Sequence, residues 1–188
     1  MSRHLPVILL SLIVIAFRVL GAMFPDTLPN FQPLPALILC SFIFLKGTQR
    51  WILPLCLWLL TDPLVSLLQG YPVFGPHHVG ILLGLASVVA ISRLFKSDSH
   101  SGQILLGSLS AAVSFYLLTN TLSFLTLPLY PKTLAGFVQA QWTGPAGFAP
   151  TWLFLRNLVG ANLLFTVLFL VAIRPLGLSL LSQKTAKA

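Results

Sequence analysis

Three acids and eleven Lys or Arg residues are all the permanent side-chain charge in 188 residues, so a charge inside an apolar run stands out. Arg18 falls in the run that begins at Leu5, Asp62 in the run from Trp51, and Arg156 near the start of the run from Thr151. A charge near a bilayer centre costs about 2.5–3.5 kcal/mol on insertion scales, and less towards the interface. These three side chains should therefore face a bundle interior or reach for a nearby interface. Asp62 can pair with one arginine, which leaves a positive charge for a bound anion or polar ligand to complete. The plainer alternative is an Asp62 bridge between both arginines that only locks helices together. Amides accompany the charges: Asn30, Asn120 and Asn157, with Asn162 about two turns beyond Arg156.

Other chemistry has little material. Neighbouring histidines such as His77 and His78 rarely chelate one metal alone, and they read as loop residues. Cys40 and Cys56 lie in apolar stretches and read as small hydrophobes rather than as a disulfide. With no Cys/His cluster, no zinc, haem or iron–sulfur cofactor is expected. GxSxG, P-loop and HExxH motifs are missing, and so few acids give acid/base catalysis few players. The expectation is a non-enzyme, and active transport would need energy from another subunit or an ion gradient.

The elements that position these residues follow from composition. Hydrophobic residues make up 56% and charged residues 7% of the chain, against about 25% charged in soluble domains. Mean hydropathy is +0.93, which places the chain in the membrane class, as one all-α domain. Apolar runs predict six transmembrane helices over about 5–23, 31–45, 51–68, 78–95, 103–127 and 151–173. The second run is short, and twelve apolar residues span only about 18 Å. Pro63 after Asp62 predicts a kink or break opening a polar notch. Gly80-xxx-Gly84 and Gly107-xxx-Ala111 allow close helix approach, within the bundle or to a partner. Leu20-Gly21-Ala22 resembles a signal-peptide cleavage site, but the charge of Arg18 argues against cleavage.

Orientation comes from the connections. One side collects Arg3, Lys46, Arg50, Arg93, Lys96, Arg174, Lys184 and Lys187, and the other only Lys132. Both termini are therefore expected in the cytoplasm of a cell whose inner (plasma) membrane holds the chain, and the net charge of +8 reflects topology rather than nucleic-acid binding. On this orientation Arg18, Asn30, Asp62, Asn120, Arg156 and Asn157 all fall in the outer half. The outer connections are rich in Pro, Gly and aromatics, including Tyr71, Pro76, Tyr130 and Trp142. Stiff aromatic loops suit a binding rim or an interfacial belt. The longest, 128–150, is expected as a functional loop carrying Tyr130 and Lys132.

Five stretches carry a resemblance. They are Asn30-Phe31-Gln32-Pro33-Leu34-Pro35-Ala36; Leu53-Pro54 followed by Asp62; Thr119-Asn120; Tyr130-Pro131-Lys132-Thr133-Leu134-Ala135-Gly136; and Arg156-Asn157 followed by Leu163-Leu164-Phe165-Thr166. They resemble an uncharacterised family of small bacterial membrane proteins. That family is similar in size, helix count and outer loops to the substrate-binding (S) components of energy-coupling factor vitamin transporters. The resemblance implies a six-helix bundle with a loop-roofed outer pocket. It also implies a transmembrane coupling subunit with ATPases as partner, and an association with cobalamin uptake. Two positions depart from those patterns: Val7–Ile15 offers only Ser11 as a small docking residue, and Asn162 stands where the family favours Asp.

The resulting expectation is a membrane substrate-binding or transport subunit for a vitamin-like metabolite. Arg18 and Arg156 would supply charge, Asp62 would orient them, Asn30, Asn120 and Asn157 would give hydrogen bonds, and Tyr130 and Lys132 would close over the ligand. The alternatives are a membrane scaffold or accessory subunit, and an intramembrane enzyme using Lys132, His77 and His78.

Overall fold

Six apolar runs with short connections require a chain that turns back on itself at two ends. The computed structural model has this layout and describes residues 5–70, 72–75 and 77–174. Among the described residues there are seven α-helices and no strand: α1 (Leu5–Met23), α2 (Leu34–Phe44), α3 (Gln49–Leu68), α4 (His77–Ser92), α5 (Ser101–Thr126), α6 (Leu134–Gln141) and α7 (Thr151–Ile173). The ends of α1 and α7 coincide with the predicted ones. Helices α3, α5 and α7 are long and apolar enough to cross a membrane, whereas the apolar stretches of α1 (Ile8–Met23), α2 and α4 are shorter.

The central element is α2. It starts at Leu34 rather than 31, behind Pro33, and nine of its eleven residues are buried. A helix apolar all round belongs inside a bundle, and α2 packs against α3, α4, α5 and α7. It rises only about 17 Å. Leu34, Leu37 and Leu39 from α2 meet Val88, Ile104, Leu158 and Phe165 in the buried core.

Helices α4 and α5 approach closely because glycine removes a side chain where they meet. A Cβ on Gly84 would lie 2.6 Å from Phe115, and one on Gly107 would lie 2.7 Å from Phe95. The small-residue spacings therefore serve packing within the bundle. The stretch 128–150, expected as one long loop, instead contains α6. Thr133 caps it in extended conformation, its hydroxyl accepting from the Gly136 N–H at 3.2 Å. The prolines and Gly136 conceal this helix in the sequence; Gly136 is required because a Cβ there would collide with the Pro131 carbonyl.

Pro54 and Pro63 lie inside α3, which continues unbroken from Gln49 to Leu68, so the break expected at Asp62-Pro63 does not occur. The chain's two ends differ in charge. One carries exposed Lys46, Arg50, Arg93 and Lys96. Arg174 is tied to the α4–α5 connection at the same end, donating to the Ser97 and Ser99 carbonyls at 2.8 and 2.7 Å. Arg3, Lys184 and Lys187, also counted for orientation, lie outside the described residues, as do Tyr71 and Pro76. The opposite end gathers the α1–α2 and α3–α4 connections and α6.

Gly84→Val is expected to lower the melting midpoint in mild detergent, with overpacking against Phe115 costing about 1–3 kcal/mol. Gly160→Ala, where an added Cβ meets nothing within 4 Å, should leave the midpoint unchanged or raise it.

Candidate functional site

Asp62 follows Trp58 by one helical turn, so both side chains lie on one face of α3. Its Oδ1 accepts from Arg18 Nη2 at 2.9 Å and from Trp58 Nε1 at 3.0 Å. Its Oδ2 lies 2.9 Å from His78 Nε2. Arg18 is 4% and Asp62 8% exposed. Three helices, α1, α3 and α4, thus contribute one ionisable group each to one cluster, in which Arg18 and Asp62 are buried and His78 is half-buried. The notch expected beside Asp62 is filled by Trp58, Arg18 and His78.

The cluster extends into the α1–α2 connection. Arg18 Nη1 donates to Gln32 Oε1 at 3.1 Å, and Gln32 Nε2 donates to Asn30 Oδ1 at 2.6 Å. Asn30 adopts φ +59°, a left-handed conformation that asparagine tolerates better than most residues. This turn directs Gln32 at the arginine. Glycine at position 21 lets the connection pass close to α1, since a Cβ there would lie 2.8 Å from the Phe31 carbonyl oxygen.

His78 has two partners on its far side. Nδ1 lies 3.2 Å from the Gly75 N–H nitrogen and 3.1 Å from the Gly75 carbonyl oxygen. With Nε2–H pointing at Asp62, a neutral imidazole accepts from Gly75, and an imidazolium donates to it. The exposed His77 ring lies 4.1 Å from that of His78.

Asparagines on α7 hold the same connection. Asn157 Nδ2 donates to the Thr27 and Pro29 carbonyls at 3.3 and 3.1 Å. Asn162 Oδ1 accepts from the Ala36 N–H at 2.5 Å, while its Nδ2 donates to the Gln32 and Leu158 carbonyls at 3.2 and 2.6 Å. Two of these three bonds need an N–H that an aspartate lacks, which accounts for Asn at 162 in this chain.

The structure separates the predicted residues into groups. It unites Arg18, Asn30 and Asp62 in the cluster. Arg156 is not paired with Asp62: it is exposed, stacks over Trp152 at 5.7 Å and donates to Asn157 Oδ1 at 3.1 Å. The unmatched positive charge therefore sits at the rim, where solvation lowers its cost. Asn120 donates to Tyr116 O of its own helix at 3.0 Å. Lys132 satisfies the end of α5, donating to the Phe124 and Leu127 carbonyls and standing over the Phe124 ring. Tyr130 is buried, and that burial pushes its phenol above its ordinary pKa. The Tyr130–Gly136 run thus builds the α5–α6 corner.

Sequence reasoning passed over Gln32 and Trp58, and took His78 for a loop residue, or an acid/base group only in the enzyme alternative. Trp58 was signalled by its four-residue spacing from Asp62, and Gln32 by its place in the run from Asn30 to Ala36. Two grooves lie away from the cluster's charged groups. One, of about 310 Å³, lies between Leu10, Leu53, Phe169 and Arg174. The other, of about 410 Å³, lies between α2, α3 and α4. None of the eight predicted site residues lines either. Among the described residues, no three of His, Cys, Asp and Glu converge as a metal site would require.

The chain belongs to DUF6580, a family of unknown function, whose model matches residues 1–183. No curated protein and no solved structure matches it.

Asp62→Ala should destabilise the fold by about 3–5 kcal/mol, because it strands a buried arginine. Adding Arg18→Met should recover most of that loss, read as melting midpoints of the single and double variants in the same detergent.

Proposed function

We propose that this member of DUF6580 is a membrane substrate-binding or transport subunit for a small, vitamin-like metabolite. In this reading six helices cross the membrane with both termini in the cytoplasm. The observation that carries it is the buried Arg18–Asp62–His78 cluster, assembled from three helices beside the α1–α2 and α3–α4 connections. Ionisable groups inside membrane bundles are costly and mark substrate or ion pathways by default. Asp62 here stands where a substrate carboxylate or phosphate would bind. An anionic metabolite entering from that end would compete with Asp62 for Arg18 and for the imidazolium form of His78. Arg156 over Trp152 and the amide of Asn157 form a cationic rim on the approach.

Energy would come from a partner, as an S-component-like role would require, and the cobalamin association implied by the family resemblance makes a cobalamin-related substrate the first to test. A scaffold or accessory subunit is the second reading. It is favoured by the internal pairing of Asp62, whose two oxygens already have three partners.

The test is mass spectrometry of small molecules released from protein purified in mild detergent, beside Arg18→Gln and Arg156→Gln variants that remain monodisperse. A stoichiometric metabolite, lost in Arg18→Gln and weakened in Arg156→Gln, is the expected result. A folded but empty protein that co-purifies with other membrane subunits would favour the scaffold.

A further inference from the structure

The groove between α2, α3 and α4 is independent of that reading. Small residues leave it open: Ala86 and Ala90 on α4 and Pro54 on α3 line it where larger side chains would fill it. Phe42 from α2 and Trp58 from α3 line it too. Its chemistry is graded along its length. At the basic end Arg93 lines the groove and Arg50 stands 5.6 Å from the Phe42 ring. Among the described residues the ion pairs are Arg18–Asp62 and His78–Asp62, so neither arginine has an acid partner. Towards the opposite end Trp58 is fixed by its N–H bond to Asp62.

An apolar trough with an unneutralised cationic mouth fits an amphiphile with one anionic head. We propose that this groove binds an anionic phospholipid, one acyl chain lying along Ala86, Ala90 and Pro54 and the phosphate facing Arg93 and Arg50. Charge complementarity selects this occupant, since basic pockets between membrane helices favour anionic over zwitterionic headgroups by about fivefold per basic residue. The chain would lie against the same indole that holds Asp62, so occupancy of the groove bears on the ionic cluster through Trp58.

The test uses full-length protein in nanodiscs of equal phosphatidylglycerol and phosphatidylcholine with identical acyl chains. After transfer to mild detergent, retained lipid is quantified by mass spectrometry. The expected result is about one retained lipid per chain, enriched in phosphatidylglycerol by about fivefold or more. Arg93→Gln should cut that enrichment by about fivefold, and Ala90→Phe should remove the retained lipid of both kinds. Arg93 and Ala90 are exposed, so both variants should keep the wild-type melting midpoint. Equal retention of the two lipids, enrichment unchanged in Arg93→Gln, or full retention in Ala90→Phe would each overturn the proposal.

Discussion

A helix buried on every side cannot leave its first backbone N–H groups to solvent, and α2 is such a helix. Its cap position is Pro33, which offers no side-chain acceptor. Asn162, 126 residues away in sequence, supplies the acceptor to the Ala36 N–H. The same amide donates to Gln32 O and fixes the residue whose side chain reaches Arg18. The core helix and the ionic cluster therefore rest on one asparagine. Ser108 and Thr166 continue the arrangement deeper, bonding each other at 2.8 Å and the Asn162 carbonyl at 3.2 and 2.8 Å.

The cluster itself combines rigidity with adaptability. Arg18 and Asp62 pair at 2.9 Å under deep burial, where separating them is expensive. His78 instead faces a glycine whose backbone offers both a donor and an acceptor. The pair is thus fixed by charge across α1 and α3, and the histidine by backbone contacts at the start of α4.

Much of this was legible in sequence. Apolar runs located six of the seven helices to within about three residues, because so few polar residues interrupt the pattern. Arg18 and Asp62 were expected at one depth, and they meet. Arg156 was grouped with them because depth was readable and rotation about the helix axis was not; it points to the rim. Lys132 and Tyr130 were read as a lid because their stretch looked loop-like. Their work is local: Lys132 neutralises the carbonyl end of α5, and Tyr130 packs in the corner that Gly136 allows. His78 was read as a loop residue because adjacent histidines argue only against metal chelation, and that argument says nothing about hydrogen bonding to a carboxylate.

The spacing of the cluster along the chain bears on biogenesis. Arg18 and Asp62 are 44 residues apart, and His78 follows 16 residues after Asp62. At synthesis rates of about 5–20 residues per second, Arg18 emerges roughly 2–9 seconds before its counter-ion. A chain inserted into a membrane as it is made would hold α1 near the translocon or the interface during that interval, because an unpaired arginine resists entry. Helices α1 and α3 would then enter as a pair, with α4 closing the cluster. In such an insertion the 44 residues between Arg18 and Asp62 would make the first helix wait for the third.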